Sequence, residues 1–275
     1  MPEKKMLKQI ILNVLRRAVV PLLFLFPTLQ ATASSVDPEV EACIRENAPK
    51  TTAIQKIELR STDRIGSEKI LVADLYLKRF ANESTGLIAY FKEPEDLRGT
   101  RLLIIEKAPI NEMYLYMPAL FKIRRITSKR ISSSMYGSDF SYEDLERLYG
   151  MLSSEAVEQK ADALIDGQAV YVLVTRPSEG SGSKYESVVS YFDKKTCVAR
   201  KVEFFEAGAR LRKVLLVDAD KVRSVGGIKV PNEYLMNDIR DKTETRMTVR
   251  EVRLDVPIAD TIFDHTKLKD FRGID

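Results

Sequence analysis

The sequence predicts an α+β chain dominated by one antiparallel sheet, and three observations predict it. About a dozen strand-length segments follow one another at hairpin spacing, separated by turn formers. Several of them alternate apolar and polar residues with the period of a half-buried strand. Only two stretches combine helical composition with an N-terminal capping residue.

The first helix is expected at VEACIREN, opened by Asp37-Pro38, because an Asp cap followed by Pro in the first turn favours helix initiation. Strands are expected at 54–60, 70–80, 87–92, 101–107 and 113–117, broken at Asp63-Arg64-Ile65-Gly66 and by Asn82-Glu83-Ser84-Thr85-Gly86. In KILVADLYLKRF, Leu71, Ala73, Leu75 and Leu77 share one face, with Asp74 and Lys78 on the other. In EMYLYMP, Met113, Leu115 and Met117 oppose Tyr114 and Tyr116. The second helix is expected at 141–151, where Ser141 and Asp144 make a Ser-x-x-Asp cap. The stretch 155–164 reads two ways: its composition favours helix, while Asp166-Gly167 before a clear strand favours a hairpin. Further strands are expected at 169–175, 186–192, 199–205, 211–217, 229–236 and 245–254, with turns at Ala207-Gly208 and Gly226-Gly227. Two short helices do not cover a dozen strands. The sheet therefore either curls upon itself as a barrel or leaves a hollow roofed by helices and loops.

Ahead of the first helix, basic residues up to Arg17 precede an apolar run, 18–29, and then Ala31-Thr32-Ala33. This is the pattern of a secretory signal peptide, residues 1–33, with cleavage after Ala33, leaving a single domain over 34–275. The run is interrupted by Pro21 and Pro27 and is shorter than the roughly 20 residues that a bilayer span needs, so no permanent anchor is expected. With no Cys just after the run to carry a lipid, the expected location is the periplasm, with only transient membrane contact. Lys4, Lys5, Lys8, Arg16 and Arg17 against Glu3 account for the whole formal charge of +4. The rest of the chain is neutral, which removes the electrostatic case for a nucleic-acid partner. Export also permits Cys43 and Cys197 to bridge; two buried thiols are the alternative.

The residues offer little to catalysis. The one histidine, His265, lies near the C-terminus, and no nucleophile elbow, metalloprotease helix, phosphate loop or dinucleotide fingerprint occurs. Neither paired CxxC nor CxxCH is present, so no metal site and no cofactor are expected. Acidic neighbours such as Glu95/Asp96, Glu143/Asp144 and Asp218/Asp220 read as solvated surface, and no catalytic residue is assigned. One charge cluster stands out: Lys122, Arg124, Arg125, Lys129 and Arg130 follow Tyr114, Tyr116 and Phe121 closely. It is a candidate docking patch for anionic head groups or an acidic partner, or else a strand edge kept from aggregating by its charges.

The block 91–150 is more specific: FKEPEDLRGTRLLIIEK, then MYLYMPALFKIRRI, then SSSMYGSDFSYEDLERLYG. Pro94, Gly99, Thr100, Tyr116, Pro118, Ala119, Gly137, Ser138, Asp139, Phe140, Tyr142 and Asp144 match a pattern that resembles the LolA-like outer-membrane lipoprotein-sorting family of Gram-negative bacteria. The similarity runs on through Asp166-Gly167 to Phe263 and Leu268. The resemblance implies an incomplete antiparallel barrel wrapped around a few short helices, with an apolar cavity for acyl chains. It implies a non-enzymatic carrier that takes a lipoprotein or another lipid-like ligand from an inner-membrane transporter towards an outer-membrane acceptor. On the alternating strands the candidate cavity residues are Leu71, Ala73, Leu75, Leu77, Leu87, Phe91, Met113, Leu115, Met117, Tyr234 and Met236. Gly137, Ser138, Asp139, Phe140, Tyr142 and Asp144 are expected to shape a loop leading into a lid helix, with Ser141 as its cap. Two alternatives stand beside the carrier: an envelope scaffold whose hollow is filled by large side chains, and an envelope hydrolase using Asp139 or Asp144.

Overall fold

The structure, a computed structural model, describes residues 36–152, 155–218 and 221–274. The expected signal segment lies outside them. The first helix, α1 (Pro38–Glu46), begins where the Asp37 carboxylate accepts a hydrogen bond from the Glu39 backbone N–H at 3.1 Å, with Pro38 in the first turn. Six strands follow: β1 (Thr52–Thr62), β2 (Glu68–Arg79), β3 (Thr85–Glu93), β4 (Arg101–Ile105), β5 (Glu112–Met117) and β6 (Lys122–Ile126). After α2 (Tyr142–Leu148) come β7 (Ala156–Ile165), β8 (Gln168–Arg176), β9 (Tyr185–Asp193), β10 (Ala199–Glu206) and β11 (Arg210–Val217). The small hairpin β12 (Val222–Val225) and β13 (Ile228–Pro231) precedes β14 (Glu233–Asp238) and β15 (Thr243–Leu254).

Thirteen strands form one antiparallel sheet in the order β6-β5-β4-β3-β2-β1-β15-β14-β11-β10-β9-β8-β7. The chain meanders outward in both directions from the β1–β15 pair, so nearly every connection is a hairpin. The two outer strands, β6 and β7, do not pair with each other, and the sheet is an incomplete barrel. Register shifts at Lys56/Ile57, Val72/Ala73, Lys160/Ala163 and Phe204/Phe205 supply the local bends that curling requires. At the β7–β8 turn both Asp166 and Gly167 have positive φ, 49° and 76°, the backbone of a two-residue hairpin that glycine adopts at no steric cost.

The stretch that read two ways is strand β7, settled by that turn. The expected strand 229–236 is two strands: Pro231 has no N–H for the ladder, and the Asn232 N–H turns aside to the Lys221 carbonyl at 3.0 Å. The sheet is also covered on both faces. Ile54, Tyr76, Ile88, Leu103 and Tyr116 point outward and form a second core with Ile258, Phe263, Leu268 and Phe271 of the C-terminal segment. Gly86 sits where this segment comes closest: a Cβ there would lie 2.7 Å from the Phe263 ring. His265 belongs to the same cover and stacks on Tyr114 with ring centroids 4.3 Å apart.

Candidate ligand-binding face

Strand pairing sets which side chains share the inner face. Across β1 and β2, Ala53 faces Leu77, Gln55 faces Leu75, Ile57 faces Ala73 and Leu59 faces Leu71. Across β14 and β15, Tyr234 faces Met247 and Met236 faces Thr245. Of the residues picked from alternation, Leu71, Ala73, Leu75, Leu77, Leu87, Phe91, Met113 and Met236 are buried in one apolar cluster, with Leu115 and Tyr234 packed against it. Met117 lies half-buried at the end of β5 outside that cluster.

The cover of this face comes from the segment 131–151. Ile131, Met135, Phe140, Leu145 and Met151 are buried in the same cluster, and Tyr136, Tyr142, Leu148 and Tyr149 pack against it. Tyr136 meets Phe91 edge-to-face with centroids 5.0 Å apart. The residues expected to line an apolar hollow are thus packed against the segment 131–151. Burial drives the Tyr136, Tyr149 and Tyr234 hydroxyls well above the usual tyrosine range, in keeping with a dry interior. α1 lies on the same inner face over β7–β9, where Val40 is buried against Tyr171 and Leu173. The Cys43–Cys197 disulfide, with Cα atoms 5.4 Å apart, ties it to the turn after β9.

Polar contacts fix the covering segment to the wall. The expected cap is present as a reciprocal pair: Asp144 N–H donates to Ser141 Oγ at 3.2 Å, and Ser141 N–H donates to Asp144 Oδ2 at 2.8 Å. The same carboxylate accepts from Lys213 Nζ on β11 and from the Tyr185 hydroxyl on β9, both at 2.8 Å. Asp144 is 2% exposed and Lys213 7%. Burial first, and then the Asp144 charge, hold the Tyr185 hydroxyl protonated far above its ordinary range. Five residues before Asp144, Asp139 accepts from the hydroxyls of Thr243 and Thr245 on β15, the latter at 2.6 Å. Its backbone N–H donates to Thr245 Oγ1 at 2.9 Å. The Tyr149 hydroxyl closes the set by donating to Gln55 Oε1 at 2.7 Å. Gly137, with φ 82°, and Ser138, whose hydroxyl donates to the Met135 carbonyl at 2.8 Å, turn the chain between the apolar plugs Met135 and Phe140.

Two carboxyls on α2 remain. Glu143 is buried, and burial raises its pKa against the opposing pull of the Ser132 and Ser183 hydroxyls. Glu146 accepts from Asn111 Nδ2 at 2.8 Å, and burial pushes it up to about 7. It lines a pocket of about 50 Å³ with Pro109, Asn111, Ile131, Met151 and Ser181, small beside the roughly 300–1,000 Å³ of a typical ligand site. Of the acidic neighbours read as solvated surface, Glu95 is exposed and pairs with Arg98, whereas Glu143 and Asp144 are buried and Asp144 holds the covering segment; Asp220 lies outside the described residues. Among the described residues no group of three or more His, Cys, Asp or Glu is arranged to hold a metal ion.

The basic cluster falls on β6, the sheet's free edge, and the turns that follow. Lys122, Arg124, Arg125, Lys129 and Arg130 are all exposed. What alternation could not reveal was the covering segment's fastening, because Asp139 and Thr245 are 106 positions apart.

A family model described as "Uncharacterized protein" matches residues 83–270, about two thirds of the chain. No curated protein matches the sequence. Among solved structures, a protein described as an outer membrane lipoprotein-sorting protein domain from Vibrio parahaemolyticus is similar at 21% identity and a TM-score of 0.75, over 84% of this chain and 97% of that one. A DUF1329 family protein from Desulfovibrio piger is similar at 21% identity and 0.74, over 85% and 100%. A LolA superfamily protein from Nitrosomonas europaea gives 18% identity and 0.65, over 82% and 96%. The chain belongs to the family of uncharacterized proteins whose model it matches, and its incomplete barrel with inner-face helices is a LolA-like fold.

Proposed function

We propose that this protein is a non-enzymatic periplasmic carrier that takes the acyl chains of a lipoprotein or another lipid-like ligand on its inner face. It would be exported by residues 1–33, work as a single domain over 34–275, and move its cargo from an inner-membrane transporter towards the outer membrane. The observation that carries the reading is a continuous apolar inner face whose cover is fastened to the wall by a few polar contacts at Asp139 and Asp144. Burying a methylene is worth about 0.8 kcal/mol, so one long acyl chain offers, as an upper bound, about 10 kcal/mol before ordering costs. That is comparable with what Met135, Phe140 and Leu145 contribute when buried, at roughly 1.5–3 kcal/mol each. Acyl chain and covering segment are therefore matched competitors for one surface. The name of the Vibrio parahaemolyticus relative, a lipoprotein-sorting domain, supports the same cargo class.

The packing of 131–151 onto the inner face also supports a second reading, an envelope scaffold that keeps the fold and binds no lipid. The two separate in one experiment. The full chain is expressed with its own N-terminal segment, purified from the periplasmic fraction without detergent, and its native and denatured masses are compared. A carrier releases a bound lipid mass on denaturation and takes up a fluorescent fatty acid, and Leu115→Asp at the half-buried rim of the cluster weakens that uptake. A clean apo mass with no probe uptake sinks the carrier and leaves the scaffold.

A further inference from the structure

Five large apolar side chains stand exposed at one end of the sheet. The pairs Thr62/Glu68, Met117/Lys122, Glu206/Arg210 and Asp238/Thr243 flank turns that lie at the same end, because every neighbouring strand pair between them is antiparallel. Those turns carry Ile65, Leu120, Phe121 and Ile239, and Leu211 stands at the start of β11 beside them, with Ile65 90% and Phe121 85% exposed.

Phe121 is the telling residue. It adopts the left-handed conformation, φ 49° and ψ 31°, in the tight turn after Pro118, where its N–H donates to the Pro118 carbonyl at 3.1 Å. A glycine would hold that backbone without strain, and the exposed ring gains the fold no packing. The turn thus carries an aromatic that stability does not ask for. Along this stretch of chain the charge is one-sided: between Glu112 and Asp139 there are five basic residues and no acidic one. Among the described residues Lys122, Arg124, Lys129 and Arg130 have no carboxylate within 4 Å, while on neighbouring turns Glu68 is held by Arg60 at 2.8 Å, Asp241 by Arg212 at 2.9 Å and Glu95 by Arg98 at 2.7 Å.

We propose that this end of the sheet docks on an anionic phospholipid surface, with Phe121 and Leu120 entering the interface and Lys122 and Arg124 meeting head-group phosphates. An aromatic beside unpaired cations is the composition that anionic bilayers select, since insertion and charge attraction add. A protein partner would have to supply acidic side chains on a matching apolar pocket. The inference goes beyond the carrier reading and does not depend on it, for a scaffold could dock in the same way.

The test uses the full chain exported as above, with its mass recorded so that all variants share one N-terminus. It is cosedimented with phosphatidylcholine vesicles with and without phosphatidylglycerol. The wild-type chain should bind the anionic vesicles, and raised salt should release it. Phe121→Gly should weaken binding about tenfold while leaving the melting temperature equal or higher, which a merely structural role for Phe121 could not do. Lys122→Glu with Arg124→Glu should abolish the preference for phosphatidylglycerol. Undiminished binding by Phe121→Gly, or binding indifferent to phosphatidylglycerol, overturns the proposal. So does a wild-type chain that ignores both vesicles, which would hand the surface to an acidic protein. Fatty-acid uptake is read separately on the same samples, and Phe121→Gly should keep it, so failure of docking and failure of the carrier reading are distinguishable.

Discussion

Asp144 is the residue on which the covering segment depends most, and its removal is a quantitative test of how that segment is held. Its carboxylate does three things at once: it caps the Ser141 N–H, accepts from the Tyr185 hydroxyl, and neutralises Lys213. Asp144→Ala forfeits a helix cap, about 1 kcal/mol. It also strands a Lys that is only 7% exposed, and breaking a buried pair in that way costs about 3–5 kcal/mol. A total near 4–6 kcal/mol is a large share of the roughly 5–15 kcal/mol that holds a domain together. Urea unfolding followed by circular dichroism measures it. The double variant Asp144→Asn, Lys213→Met should recover most of the loss, because an uncharged pair of similar volume carries no desolvation penalty. A single-variant loss below about 1 kcal/mol, the value of an exposed pair, would show that the contact is wet and that the segment is held by apolar packing alone.

Three further outcomes are expected. Phe140→Ala, in the middle of the cover, should destabilise the chain by about 3–5 kcal/mol in the same unfolding assay. Reducing the Cys43–Cys197 bridge, which closes a loop of 154 positions, should cost up to about 4–5 kcal/mol by chain entropy and lower the thermal midpoint in dithiothreitol. Glu146 is raised by burial from 4.5 to about 7 in the fold, so between those values the native state holds a proton that the unfolded chain has lost. Stability should therefore fall as pH rises through that window, by up to about 3 kcal/mol. Glu146→Gln, which can still accept from Asn111, should flatten that slope and be the more stable protein at pH 8.

Much of the fold was legible because it is local. The alternation in β2 placed Leu71, Ala73, Leu75 and Leu77 on the inner face, and the Ser141–Asp144 spacing announced the start of α2. Cover on both sides of the sheet was missed, although the unbroken apolar runs of β3 and β4 carry its signal, since strands with one wet face alternate. The role of Phe263 and Phe271 in that cover is not local at all: they meet Phe80 and Tyr76 across more than 180 positions. The same holds at the candidate site. The sequence named Asp139 and Asp144 but not what they grip, because Thr243, Thr245, Lys213 and Tyr185 come together only when β9, β11 and β15 do. The reading of 229–236 as one strand passed over Pro231, whose missing ladder donor marks the division.

The most direct test asks whether an acyl chain takes the place of the covering segment. Hydrogen exchange of the exported full chain, followed with and without a saturating long-chain fatty acid, reads both partners of that exchange at once. Amides of 131–151 should lose protection on binding while β2 and β3 keep theirs, and Asp139→Ala, which loosens one fastening, should bind the fatty acid more tightly. Unchanged or increased protection across 131–151, together with no gain in affinity from Asp139→Ala, would contradict the claim that this face is a ligand site.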